Sequence, residues 1–386
     1  MPSKTVYYAS VGPELTLYDI DVAGAALTRR GTVALPANIQ YAWPHSTMRT
    51  LYVVSSTGGP DVAGKAHFAN ALAIDPATGA LRLSGPPAAL PSRPIHVSVD
   101  RSGGYLLIAY NNPSNVTVHR LDAAGSIGAP LPQPRDLDTG IFAHQVVAAP
   151  DNRTVMLVTR GNNAEADSPE DPGAIKIFAF AGGVLRNLES IAPGNGPDKG
   201  FGFGPRHLDF HPDKPWAFVS VERQNKLYVF KLDANSGLAR QPLFVTDTLA
   251  DPASRAPQGA GAIHVHPNGK FVYLTNRTFP ASGPGARKIA PGGENSVAVF
   301  AIDQTTGEPS RIQNIDGKGI QLRTFAIDPS GRMLAVAGIM SAADGSLPAG
   351  IAVMRIGADG KLAFVRKYDV EVGDQQQFWS GMVTLG

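Results

Sequence analysis

The stretch Gly204-Pro205-Arg206-His207-Leu208-Asp209-Phe210-His211-Pro212-Asp213, followed by Trp216-Ala217-Phe218-Val219-Ser220-Val221-Glu222, decides how the chain is read. Alternating apolar residues flank a Pro-Asp pair that favours reversal, so the segment reads as strand, tight turn and strand. The start of the first strand, Arg206 and His207, and the end of the second, Glu222, therefore fall at one edge. Two basic groups lie there beside a carboxylate.

The hairpin recurs. It returns at Pro44 before Leu51-Tyr52-Val53-Val54, at Asp100-Arg101-Ser102-Gly103, at Pro150-Asp151-Asn152-Arg153, at Pro267-Asn268-Gly269 and at Pro329-Ser330-Gly331. A second pattern, an alternating strand closed by a turn glycine, occurs seven times, with Gly24, Gly79, Gly125, Gly183, Gly237, Gly307 and Gly360 in the turns. Gly24 and Gly360 lie 336 residues apart over six intervals, a mean period of 56. Four antiparallel strands repeated seven times predict an all-β fold, a seven-bladed β-propeller with four-stranded antiparallel blades. Only six hairpins are complete, and the missing halves lie at the ends, near Phe378 to Val383 and at Val6 to Ala9. Pairing of these N- and C-terminal strands closes the ring and leaves no open edge, which predicts one propeller domain over residues 1–386.

Composition agrees. The chain carries 42 Gly and 32 Pro but only 17% charged residues, a balance suited to short strands joined by turns. A formal net charge of +2, with no basic run and no basic amphipathic helix, argues against nucleic acid and membrane surfaces as partners. The lack of cysteine excludes disulfides, thiol nucleophiles and Cys-ligated metals. Met1-Pro2-Ser3-Lys4-Thr5-Val6 enters a strand pattern without a charged and then apolar leader, and no later segment approaches about 18 uninterrupted apolar residues. The expectation is a cytoplasmic protein, a monomer or simple homo-oligomer.

In an up-and-down blade the Pro and glycine turns share one face, so the long connections, 55–68, 160–173, 193–205, 249–261 and 279–294, fall on the other. Loops of such length are commonly functional. That face receives the starts of the innermost strands: His96 with Arg93 upstream, His144, Arg206-His207, His264 and Arg323. It also receives the ends of the next strands: Ser55, Asn111, Arg160, Glu222-Arg223 and Asn276-Arg277. Several Arg and His around one carboxylate describe an anion-binding pocket with a single acid–base group. Each residue has a plainer reading. The histidines can hydrogen-bond a neighbouring blade, and Arg93, Arg160 and Arg323 can serve as blade-to-blade ion pairs. His211 and His266, beside the Pro turns at the opposite face, read as structural. Glu222 ends an apolar strand where an unpaired carboxylate is costly, so it is either functional or bridged to Arg206 or Arg277. No converging Asp, Glu and Asn set points to an axial metal, and no Ser sits on a strand-to-helix elbow.

At these residues the chain resembles the propeller lactonase family that includes bacterial 6-phosphogluconolactonase and fungal 3-carboxy-cis,cis-muconate lactonizing enzyme, over essentially its whole length. The likeness is carried by Gly204-Pro205-Arg206-His207 with Phe210-His211-Pro212, by His144 with Pro150-Asp151-Asn152-Arg153, and by Ile263-His264-Val265-His266-Pro267-Asn268-Gly269 followed by Arg277. It implies a catalytic set of His144, Arg206, Glu222 and Arg277. His207, His264, Arg160, Arg323, Asn111 and His96 are the further substrate-binding candidates. Arg160-Gly161-Asn162-Asn163-Ala164-Glu165-Ala166-Asp167 stands where members often carry a shorter Asp-containing turn, and 279–294 is long.

The expected activity is hydrolysis of a small anionic lactone without a cofactor. One arginine stabilises the carbonyl oxygen as water attacks, another holds the substrate's carboxylate or phosphate, and Glu222 or His144 moves the proton. Two alternatives stand beside it: cyclisation of a carboxylated muconate by the same residues, and a non-catalytic propeller presenting a protein-binding face. The second is disfavoured by the few aromatics in the long connections, Phe68, Phe201, Phe203 and Phe279.

Overall fold

Runs of β-branched and aromatic residues, broken every few positions by Gly, Pro, Asn or Asp, favour short extended segments over helices. The computed structural model describes residues 4–60, 62–165, 168–193, 202–279, 281–282, 288–289, 292–342 and 344–385. Among them are strands and turns and no helix, hence none long and apolar enough to cross a membrane. Phe201, Ala166 and Asp167, and much of the connections 193–205 and 279–294, lie outside the described residues.

Seven sheets surround an axis. Their innermost strands are Asn38–Pro44, Pro94–Val99, Ala143–Ala148, Pro205–Phe210, Gln258–Val265, Ile320–Ile327 and Ser380–Leu385, which define blades 1 to 7. The expected closure is present: Ser380–Leu385 pairs antiparallel with Lys4–Val11, Thr384 opposite Thr5, and Glu14–Asp21 and Ala26–Ala34 complete blade 7. A short pair outside the blades, Ala281–Ser282 with Lys288–Ile289, decorates one long connection.

Burial follows from stacking each sheet between two others. Second strands such as Thr50–Ser56, Thr154–Thr159 and Trp216–Val221 are buried along their whole length, whereas the outermost Ala26–Ala34 is mostly exposed. Seven apolar clusters fill the seven interfaces, including the one that joins last blade to first, where Val6, Tyr8 and Val383 meet Ile39, Leu51 and Val53.

Polar staples fix the register between blades. His45, His211 and His266 each place Nε2 2.8–2.9 Å from the carbonyl of a turn glycine in the next blade, Gly103, Gly269 and Gly331. Their Nδ1 atoms accept backbone N–H groups of their own turns, as from Met48, Lys214 and Asn268. The structural reading of His211 and His266 thus has its cause: both ring nitrogens are spent on the scaffold. On the outer turns, the Tyr8, Tyr52 and Tyr273 hydroxyls donate to the carbonyls of Gly79, Gly125 and Gly360.

Candidate functional site

What aims side chains at the axis is a repeated irregularity. In six of the seven blades the innermost strand carries a β-bulge against its partner. The residue left unpaired is Gln40, Ile95, His144, Arg206 or Arg323 in five of them, and the Gly261–Ala262 pair in blade 5. A bulge adds one residue, bends the strand and re-aims a side chain. Here the bulge residues Ile95, His144 and Arg323 line the mouth that carries the long connections.

A cavity of about 510 Å³ opens at that mouth, lined by His144, Arg160, Glu222, Arg277, Arg323 and Asn111 among others. Glu222, at the end of Trp216–Val221, is 1% exposed and anchored by its N–H to the Gly204 carbonyl at 2.9 Å. Its Oε1 pairs with Nη2 of Arg277 and lies 3.6 Å from Nε of Arg206, and Oε2 lies 3.6 Å from Nη1 of Arg160. Blades 3, 4 and 5 thus converge three guanidiniums on one carboxylate.

Burial alone would raise the Glu222 carboxyl. Arg277, Arg160, Arg206 and Arg323 together outweigh it and bring the pKa down to about 2. Glu222 is ionised at any working pH. His144 is moved the other way from a charged state: burial first, then Arg206, His207, Arg323 and Arg160, push its pKa well below 6.5. It is a neutral imidazole, and its Nδ1 has no hydrogen-bond partner among the described residues. Burial and Arg277 draw Arg206 down to about 9, which leaves it charged at neutral pH.

Four expectations need correction. Arg206 is fully buried, lies 3.6 Å from Glu222 and does not line the cavity. His96 and His207 follow the bulge residues Ile95 and Arg206 by one position and therefore turn away. His207 lines a second cavity of about 520 Å³ at the opposite mouth, and His96 is buried against Tyr41, ring centroids 4.2 Å apart. His264 lies beyond its bulge, partly exposed at that opposite mouth, 3.5 Å from Asp209. Ser55 and Asn276 bond within the scaffold, and Arg223 pairs with Glu170.

The sequence reading missed an aromatic set. The Arg160 guanidinium carbon lies 4.3 Å from the Phe142 ring centroid, that of Arg277 lies 5.5 Å from Phe279, and that of Arg323 lies 3.7 Å from Phe378. Stacking orients a guanidinium without using its N–H donors. Phe142 and Phe378 both stand just before an innermost strand, a signal open to recognition. Among the described residues no group of three or more His, Cys, Asp or Glu is placed to hold a metal ion.

A closed seven-bladed ring with a cationic axial cavity around one ionised glutamate defines a class, and comparison bears it out: the chain belongs to the family described as "Lactonase, 7-bladed beta-propeller", matched over residues 5–343. It is accordingly an enzyme of the lactone hydrolase class. Among relatives, a Yersinia pestis 6-phosphogluconolactonase is 26% identical over 383 residues, 96% of each chain. The Bacillus subtilis protein named 6-phosphogluconolactonase is 26% identical over 317 residues, 81% of this chain and 80% of that one. The fold is shared with a periplasmic gluconolactonase of Pseudomonas aeruginosa, at a TM-score of 0.73, 22% identity and full coverage of both chains.

Proposed function

We propose that the protein hydrolyses a small anionic lactone in the cavity around Glu222. The observation that supports this most is the charge pattern: Arg277, Arg160 and Arg206 share one carboxylate, so the site retains positive charge for an anionic substrate and for a developing oxyanion. In this reading water adds to the lactone carbonyl carbon, and the displaced π pair is held on oxygen by Arg277 and Arg160. His144 takes the proton from the attacking water. The tetrahedral intermediate reforms C=O, its bond to the ring oxygen breaks, and the same proton passes to that oxygen. The product hydroxy acid then ionises and releases one proton. Glu222, held by guanidiniums on both oxygens, fixes the arginines rather than exchanging protons, and Arg206 positions Glu222.

The preferred substrate is a sugar-derived lactone bearing a phosphate, in keeping with the names of the relatives. A cytoplasmic location and the absence of nucleic-acid or membrane partners belong to the same reading, as do a single domain over 1–386 and a monomer or simple homo-oligomer. Cell fractionation and light scattering test location and assembly. Activity is tested by proton release at constant pH with 6-phosphogluconolactone, carboxymuconolactone and glucono-δ-lactone. Rapid hydrolysis of an anionic lactone, abolished in H144A, is expected. An H144A variant as active as the unaltered protein removes His144 from the proton transfer.

A further inference from the structure

In a seven-membered ring, blade 7 stands as far from blade 4 as the ring allows, so Phe378, just before the innermost strand of blade 7, lies across the axis from Glu222. Two guanidiniums meet its ring. Arg323, the bulge residue of blade 6, places its guanidinium carbon 3.7 Å from the centroid, and Arg93, at the entry to blade 2, places its own at 5.9 Å. All three line the same cavity as Glu222. Arg93 is oriented by a 2.8 Å hydrogen bond from Nε to Gln40 Oε1, and Gln40 is itself the bulge residue of blade 1.

Arg323 differs from the arginines around Glu222. It is only 9% exposed, yet it makes no hydrogen bond or ion pair with the described residues, and its guanidinium faces the cavity. A cation so placed, among other cations, is costly to bury unless an anion comes to it. Phe378 leaves the guanidinium edge available, and that edge matches the oxygens of a carboxylate or phosphate.

We propose that Arg323 and Arg93, both set against Phe378, form a second anion subsite that receives the charged group a lactone carries away from its ring carbonyl. This rests on the lactonase reading and gives it a direction: the carbonyl lies toward Glu222, Arg277 and Arg160, and the remote anion toward blades 6, 7 and 2. The occupant is a compact oxyanion, phosphate or carboxylate, at the far end of a small ring.

The test compares kcat/KM for 6-phosphogluconolactone, carboxymuconolactone and uncharged glucono-δ-lactone in the unaltered protein and in R323Q. The unaltered protein is expected to prefer an anionic lactone, and the preferred anion tells phosphate from carboxylate. R323Q is expected to shrink that preference roughly 10- to 100-fold, mainly through KM, as for loss of one charge-assisted contact. Equal losses on charged and uncharged lactones, or no preference in the unaltered protein, overturn the subsite and leave the lactonase reading standing. Inorganic phosphate provides a readout without turnover. It should raise the unfolding midpoint of the unaltered protein more than that of R323Q, and equal shifts overturn the subsite even if no lactone is hydrolysed, the outcome that would overturn the lactonase reading. R323Q removes a buried cation and is expected to unfold no more readily than the unaltered protein.

Discussion

Replacing Glu222 by Gln should reveal an electrostatic contribution whose size and pH dependence both follow from the geometry. The carboxyl falls from 4.5 to about 2 on folding, because three guanidiniums at its two oxygens, with Arg323 further off, outweigh its burial. At about 1.4 kcal/mol per pH unit, the ionised form stabilises the fold by about 3 kcal/mol relative to the protonated one. Since the folded pKa is the depressed one, that contribution is present above pH 4.5 and is lost as pH falls toward 2. Gln is nearly isosteric with the protonated acid. E222Q should therefore be about 3 kcal/mol less stable than the unaltered protein at pH 7 in urea unfolding, and the difference should drop to less than half that at pH 3. Loss of a buried partner also leaves Arg277 and Arg206 without a counter-charge, which adds to the deficit at pH 7. A difference that stays constant with pH, or a variant as stable as the unaltered protein at pH 7, refutes the account of Glu222 as the anchor of the arginines.

Three further outcomes are expected. A base must be deprotonated to act, and burial with arginine neighbours moves His144 well below 6.5, so kcat/KM should run flat from pH 7.5 to below 6.5; an inflection at or above 6.5 argues against His144 as the base. Gly307 adopts φ +83°, and a Cβ there would sit 2.7 Å from Cε2 of Trp216 on the adjacent blade. G307A should accordingly lose about 1–3 kcal/mol in urea unfolding, and an unchanged midpoint would discount that contact. Ending the chain at Trp379 removes Ser380–Leu385 and exposes the edge of Lys4–Val11. The truncated chain should lose its cooperative far-ultraviolet circular dichroism transition, and one of full stability would mean that closure contributes little.

The fold was legible because a propeller repeats its grammar. Three blades are stapled to the next by the same turn contact, so His45, His211 and His266 recur, and the glycine turns recur with them. Ring closure was legible from complementary half-units at the ends. The chemistry was less so, because the sequence shows residue types before it shows register. In the sequence His264 reads as a histidine near a strand start, yet its strand begins at Gln258 and His264 lies past the bulge. Counting back five residues from His45, Asp100, Ala149, His211, His266 and Asp328 lands on Gln40, Ile95, His144, Arg206, Gly261 and Arg323. The axial position was present in the sequence as a distance from the turn, and in blade 5 it is a glycine.

Depth was not encoded in that count. His144, Arg206 and Arg323 occupy the same bulge position in blades 3, 4 and 6, yet His144 and Arg323 line the cavity while Arg206 lies wholly behind Glu222. The difference comes from what the second strand of each blade delivers above the bulge. In blade 4 that is a carboxylate, which covers Arg206 and pairs with it; in blade 3 it is Arg160, drawn aside onto Phe142. In blade 6 no carboxylate covers Arg323, whose guanidinium rests on Phe378 with its donors toward the cavity. The same backbone device therefore yields a buried positioning group in one blade and open groups in two others. Which it yields is decided by the partner beside it: Glu222 of the same hairpin for Arg206, and Phe378 at the entry to the next blade for Arg323.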